Sequence, residues 1–316
     1  MPRYPNGWFQ VAYADELAPG AVRPLRYFGR DLVLFRTEGG QAHLLDAHCP
    51  HMGAHLGHGG RVKGDCVECP FHAWRFAGDG ACAEIPYAKK IPPRAHVNPW
   101  PLREVNGLLL AWYHADGAPP QWEVPVLPEY GSDEWTPYEK RSWKIRSHNQ
   151  EMAENAVDSA HFLYLHGTAE MPETRAEERG HLLHAVSSTV MKTPQGKVKG
   201  EIEVNAWGFG FTTTRFRGLV ETLLVSSNTA IDDDHVELRF AFTVRKMVNA
   251  GVTSTVAAAF QREIARQLEQ DIPIWENKIY IHPPVLVDGD GPIGLFRRWA
   301  KQFYSASNAP SLASVS

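Results

Sequence analysis

The sequence predicts an α+β protein in two unequal parts. An all-β N-terminal domain comes first, followed by a domain in which a long C-terminal helix lies across an antiparallel sheet. Three observations carry this. Residues 8–114 break into short strands between turns, with no amphipathic helix of useful length. The second half continues with strand-length alternation. From about Thr255 to Tyr280 it changes to helical periodicity, with Phe260, Ile264, Leu268, Ile272 and Trp275 on one face. Strands followed by one long helix suggest layers of helix on sheet.

Taken in order, Trp8–Tyr13, Asp31–Thr37 and Gly107–His114 are rich in β-branched and aromatic residues and bounded by Gly, Pro or Asp. We expect strands there, in a domain covering residues 1–115. Composition then shifts to Pro, Gly and Trp, as in Gly117-Ala118-Pro119-Pro120 and Val124-Pro125, so residues 116–138 read as a linker. The second domain is expected over 139–304. A helix is predicted from Gln150 to Leu165, with strands at about 184–192, 199–206, 219–227 and 235–246. Asp232-Asp233-Asp234 reads as a solvated hairpin turn, because it lacks the spaced ligands and glycine of a calcium loop. The Ser- and Ala-rich residues 305–316 read as a disordered tail.

The chain has 316 residues, 43% of them hydrophobic and 22% charged, an ordinary globular composition with room for two domains. Its net charge of −4 leaves no basic footprint for nucleic acid. No apolar run is long enough to span a bilayer, and the opening Met1-Pro2-Arg3-Tyr4-Pro5 has no signal-peptide core, so a cytoplasmic location is expected. Four cysteines are too few for a disulfide scaffold.

Between Cys49 and His72 lies the strongest chemical signal. Cys49-Pro50-His51 is followed, seventeen residues on, by Cys69-Pro70-Phe71-His72. Each Cys-plus-His pair ends a short loop, and together they form a ligand set for one metal centre. Zinc accepts two thiolates and two imidazoles, but zinc modules of this size pair Cys with Cys and His with His. Cys-x-His followed by Cys-x2-His argues for a Rieske [2Fe–2S] cluster, in which two histidines replace two cysteines on one iron. Cys66 and Cys82 read as small buried side chains.

A second ligand set begins at Asp158. Asp158-x2-His161-x4-His166 places two imidazoles five residues apart, about 140° from each other on an ideal helix. They converge on one metal only if the helix ends between them, and Gly167 suits such an ending. A non-haem oxygenase iron takes two His and one carboxylate, leaving positions open for oxygen. Asp271 shares the apolar face of the long helix with Leu268 and Trp275, where a lone carboxylate is costly unless paired or bound to metal. It is the expected third ligand, and Pro273 is expected to interrupt the helix beside it. Asp158, one turn before His161, is placed to orient that imidazole. His148, His181 and His184 have no second ligand type at a useful spacing and read as packed or surface histidines.

Both motifs in this order resemble the oxygenase (alpha) component of Rieske non-haem iron oxygenases. Within that family the sequence is most similar to the branch of 3-ketosteroid 9α-hydroxylase and cholesterol 7-desaturase. The phrases that carry this are Val105-Asn106-Gly107-Leu108 through Trp112-Tyr113-His114, Glu154–Phe162, Gln270–Lys278 and Arg297–Tyr304. The resemblance implies a Rieske domain followed by a helix-grip catalytic domain, commonly in a homotrimer. It implies a cluster on Cys49, His51, Cys69 and His72, and a mononuclear Fe(II) on His161, His166 and Asp271. Asp158 would be the acid bridging His72 of a neighbouring subunit to an iron ligand. O2 would be the co-substrate, and NAD(P)H electrons would arrive through a partner reductase, with or without a ferredoxin. The respiratory type of Rieske protein carries an extra disulfide at positions that here hold Ala54 and Phe71, so the oxygenase kind fits better. The expected activity is hydroxylation or desaturation of a steroid- or sterol-like molecule. The alternatives are a Rieske oxygenase for aromatic or O-/N-methyl substrates and, from another class, a Rieske electron carrier. The chain is short for its branch, and the reduction is expected after His166.

Overall fold

The computed structural model describes residues 3–168, 170–193, 196–218 and 220–305 and, at 189, 191–193 and 196–199, the backbone only. It has the predicted α+β architecture. In the first part, β1 (Gly7–Tyr13) pairs with β11 (Leu108–Tyr113), which pairs with β10 (Leu102–Val105). A second sheet runs β2 (Val22–Tyr27), β3 (Arg30–Arg36), β4 (Ala42–Asp46) and β9 (Pro99–Trp100). A third, small sheet runs β5 (Arg61–Lys63), β6 (Cys66–Glu68), β7 (Arg75–Ala77) and β8 (Cys82–Glu84). All the pairings are antiparallel.

The second part is one seven-stranded antiparallel sheet. Its strands are β12 (Glu139–Ile145), β13 (Glu173–Arg179), β14 (Leu182–Thr193), β15 (Gly196–Trp207), β16 (Thr212–Arg217), β17 (Thr222–Ala230) and β18 (Val236–Val244), in the spatial order β12-β18-β17-β16-β15-β14-β13. The sequence reading missed β12, β13 and β16. Charged residues dominate β12 and β13, and both lie on sheet edges, where one side needs no apolar partner. Asp232–Asp234 do form the turn between β17 and β18, where Asp232 Oδ1 accepts from the amides of Asp234 and His235.

The long helix, α3 (Ala250–Asn277), starts at Asn249, whose side chain accepts from the amides of Gly251 and Val252. Its Ala257, Phe260 and Ile264 pack on Leu224, Phe242 and Val244, and its Leu268 and Trp275 on Ile145, Val236 and Leu238. The predicted stripe is therefore the contact face. Pro273 does not interrupt the helix, which runs four residues further; Asn277 donates to the Pro273 carbonyl at 2.8 Å and closes the end.

The helix predicted over Gln150–Leu165 is in fact broken. α1 (Asn149–Ala153) passes into a 3-10 turn at Glu154–Ala156, the chain leaves helical form at Val157, and α2 (Ala160–Tyr164) restarts it. Gly291 (φ +79°) explains how the break is held: a Cβ there would lie 2.3 Å from the Val157 carbonyl oxygen, so glycine lets the 288–292 loop press against it. α4 (Ile293–Ala300) follows that loop and buries Phe296 and Trp299 against Phe209.

The two parts share their core. Along β11, Leu109, Ala111 and Tyr113 enter a cluster with Phe209, Phe296 and Trp299, whereas Leu108, Leu110 and Trp112 enter another with Phe211, Leu223 and Val225. Both faces of β1 are buried for the same reason. Gln10 on β1 accepts a hydrogen bond from Thr229 at 2.7 Å and donates to Ser227 at 3.1 Å, both on β17. The segment read as a linker is irregular but packed: Trp122 stacks on His181 and meets Trp112 and Phe303 edge-on. Ser305 still bonds to Asn6, and residues 306–316 of the expected tail lie outside the described residues. No helix among the described residues is long and apolar enough to cross a membrane.

Candidate functional site

The first ligand set sits on two tight loops of the small-sheet region. In the β4–β5 loop, Cys49 N donates to Ala54 O and Gly53 N to Cys49 O. In the β6–β7 loop, Cys69 N donates to Trp74 O and Ala73 N to Cys69 O. Each cysteine is thus the pivot of a closed loop, and the two loops face each other. The Cys49 and Cys69 thiols are buried and unbridged, and burial pushes Cys49 up to about 11, with the neighbouring Cys69 adding to the effect. The His51 and His72 rings lie 4.6 Å apart, with Trp74 stacked on His51 at 4.7 Å. His72 Nδ1 is buried with no hydrogen-bond partner. Two converging soft thiols and an orphaned imidazole nitrogen are the donor chemistry that a two-iron, two-sulfide cluster requires, so the residues fit the group.

The second set lies about the broken helix. Asp158 Oδ1 accepts from the amides of Ala160 and His161 and so caps the restart of α2. After Tyr164 the helix ends: the His166 amide bonds to His161 O at 3.2 Å, Thr168 N returns to Phe162 O, and Gly167 takes φ +71°. This turn brings the His161 and His166 rings to 5.0 Å. From α3, Asp271 Oδ1 reaches within 3.4 Å of His166 Nε2. One ligating atom from each of His161, His166 and Asp271 falls within 4.8 Å of the others, a group able to hold one metal ion. Burial pushes the Asp271 carboxyl up to about 6, against the pull of His161 and the Asn155 amide. Burial likewise pushes His166 down. Two imidazoles and one carboxylate suit non-haem iron.

The expected orienting role of Asp158 takes a different form. Its carboxylate stands 3.8 Å from His161 Nδ1, and the nearer acceptor is its own backbone carbonyl, at 2.7 Å. Although burial works against it, the carboxyl titrates below its usual range, held by the His161 ring and the two capping amides. Two supporting residues escaped the sequence reading. Asn155 donates to Asp271 at 3.2 Å and accepts from Trp275 Nε1 at 3.4 Å. Gln270 accepts at 3.1 Å from His166 Nδ1. Their amides give no ligand signal, although each lies beside residues that do. His181 and His184 are indeed packed, on Trp122 and Asn205 respectively, and His148 caps α1.

A cavity of about 210 Å³ adjoins the second set. Its walls are mostly apolar, from Leu183, Val204, Phe216, Leu238 and Trp299, with Ser226, Asn228 and Thr214 among the polar groups and His161, His166 and Asp271 also in the lining.

Two family profiles divide the chain between them. The Rieske [2Fe-2S] domain matches residues 7–101, and the 3-ketosteroid 9α-hydroxylase C-terminal domain matches residues 111–304. The chain belongs to the 3-ketosteroid 9α-hydroxylase family of Rieske oxygenases. Among its relatives, the 3-ketosteroid-9-alpha-monooxygenase oxygenase component of Mycolicibacterium smegmatis is 35% identical, over 96% of this chain and 83% of the relative. The cholesterol 7-desaturase nvd of Xenopus laevis is 33% identical, over 98% of this chain and 74% of that protein. Solved Rieske oxygenases share the fold. Dicamba monooxygenase gives a TM-score of 0.78 at 16% identity, over 96% of this chain and 97% of that one. NdmB of Pseudomonas putida CBB5 gives 0.77 at 20%, over 95% and 93%. As a member of this family the protein is an oxidoreductase with a [2Fe–2S] cluster, and as an oxygenase component it works with a reductase; dicamba monooxygenase, which shares the fold, holds a non-haem iron.

Proposed function

We propose that this Rieske oxygenase hydroxylates or desaturates a steroid- or sterol-like substrate in the cavity beside His161, His166 and Asp271. The observation that carries the reading is that apolar cavity, which opens onto a two-His, one-carboxylate set. Cys49, His51, Cys69 and His72 are the cluster ligands in this reading, and His161, His166 and Asp271 the iron ligands. The iron, when bound, supplies O2 activation with electrons delivered through the cluster. The protein's residues do the rest. The Asp158 carbonyl accepts from His161 Nδ1, so that ring's Nε2 keeps its lone pair for a metal. Asn155 steadies one oxygen of Asp271. The apolar walls exclude water and hold a rigid hydrocarbon against the metal, and the polar groups at Asn228 and Ser226 offer partners for its oxygen substituents.

The names of the curated relatives, which act on 3-ketosteroids and cholesterol, support this substrate class. In the same reading the enzyme is a cytoplasmic homotrimer, and Asp158 links His72 of a neighbouring subunit to His161. Its side chain, 31% exposed, is reachable from outside the subunit. The test is turnover of 3-ketosteroids, sterols and methoxyaromatics with a surrogate NAD(P)H-dependent reductase. Oxidised steroid or sterol products are expected, and activity confined to the aromatics would overturn the substrate assignment.

A further inference from the structure

His166 is gripped at both ring nitrogens by consecutive residues of α3. Its Nε2 lies 3.4 Å from Asp271 Oδ1, and its Nδ1 lies 3.1 Å from Gln270 Oε1. Neighbouring helix positions point about 100° apart, so the imidazole edge sits across the helix with one residue at each end. We propose that Gln270 is a positioning residue that selects the metal-binding tautomer of His166.

A neutral imidazole has one N–H to place. An acceptor at Nδ1 keeps the proton there and leaves the Nε2 lone pair directed at Asp271. Were the amide reversed, its NH2 would donate to Nδ1, and Nε2 would carry the proton and lose its ligating capacity. The His166 side chain is 2% exposed, so water cannot replace the amide. The other ring of the site, His161, has its tautomer fixed by a backbone carbonyl, beyond the reach of side-chain substitution. Gln270 does the same by a side chain. A carboxylate often fills this place beside a metal histidine. Here Asp271 already brings one buried carboxylate and Asp158 stands nearby, so an amide accepts the bond without adding a further negative charge.

The inference rests on the reading of His161, His166 and Asp271 as iron ligands. Its test titrates Fe(II) against a chromogenic chelator in the full-length protein with its cluster in place. Gln270→Met should weaken iron binding by about 10–100-fold, with the cluster absorption unchanged. Gln270→Glu should hold iron as tightly as the parent, because a carboxylate accepts the same bond. Unchanged affinity in Gln270→Met would overturn the proposal. So would equal weakening in both variants, which would reduce the side chain to a packing role. If Gln270→Met does not fold, Gln270→Glu decides alone, and weakening of about tenfold or more there overturns it. Iron that survives His166→Ala would instead remove the ligand reading itself, and this inference with it.

Discussion

Asp271 is a carboxylate on the buried face of a helix, and its surroundings decide its use. It has the Asn155 amide on one oxygen and an imidazole 3.4 Å away, but among the described residues no lysine or arginine pairs with it. Asp271→Ala should therefore leave the cluster spectrum intact and remove the mononuclear iron, read by metal analysis and by loss of activity; retained activity would assign the ligand elsewhere. Asp158→Ala should keep both metals but slow single-turnover oxidation of the reduced cluster, and an unchanged rate would argue against a bridging role. At this scale the sequence is informative wherever a residue's chemistry is itself the signal. Cysteine, histidine and a carboxylate in an apolar stripe announce themselves. Gln270 and Asn155 do not, since an amide on a helix has many uses and only its partner, more than a hundred residues away, reveals which applies.

The broken helix carrying His161 depends on its neighbours rather than on its own propensity. α1 and α2 are five residues each, too short to persist alone. They are held by α4, whose Arg297 makes a two-pronged ion pair with Glu154 at 2.7 Å on each arm. The Glu154 side chain is 9% exposed. Arg297→Met should therefore cost about 3 kcal/mol in denaturant unfolding, near the lower end for stripping one partner from a buried pair. Gly291→Ala should displace Val157–Ser159 and lower mononuclear iron occupancy more than cluster occupancy, measured as iron and acid-labile sulfide per chain. A periodicity reading sees one helix here because Met152, Ala156, Ala160 and Leu163 keep an apolar rhythm through the break. What holds the break against the rest of the fold, a glycine in a loop far along the chain, is invisible to any local window. By contrast α3 was legible, because its stripe meets the sheet over about five turns and tertiary packing agrees with the local pattern.

At the scale of the whole molecule, two family profiles meet near residue 101–111, and the sequence reads as two domains with a joint. In the described protein the two parts are packed through shared cores. β11 contributes alternate side chains to two cores, and each core takes in residues from both parts. Composition marked the 116–138 segment as a linker because Pro and Gly are abundant there; it could not show that Trp122, Val124 and Leu127 pack into the core. Metal analysis of the intact enzyme should give three irons per chain, two with acid-labile sulfide and one without. Two irons would indicate an electron carrier.

That shared strand bears on how the protein melts. A segment ending at residue 115, made alone, would keep Phe9, Phe28, Trp100 and Tyr113 but lose Phe209, Phe296 and Trp299 from the cluster in which they are buried together. Calorimetry of the whole chain should therefore show one cooperative endotherm rather than two, and the isolated N-terminal piece should aggregate or fail to retain its cluster. The electron-carrying half can be recognised as a module by its motif, but it is not a module that heat can separate.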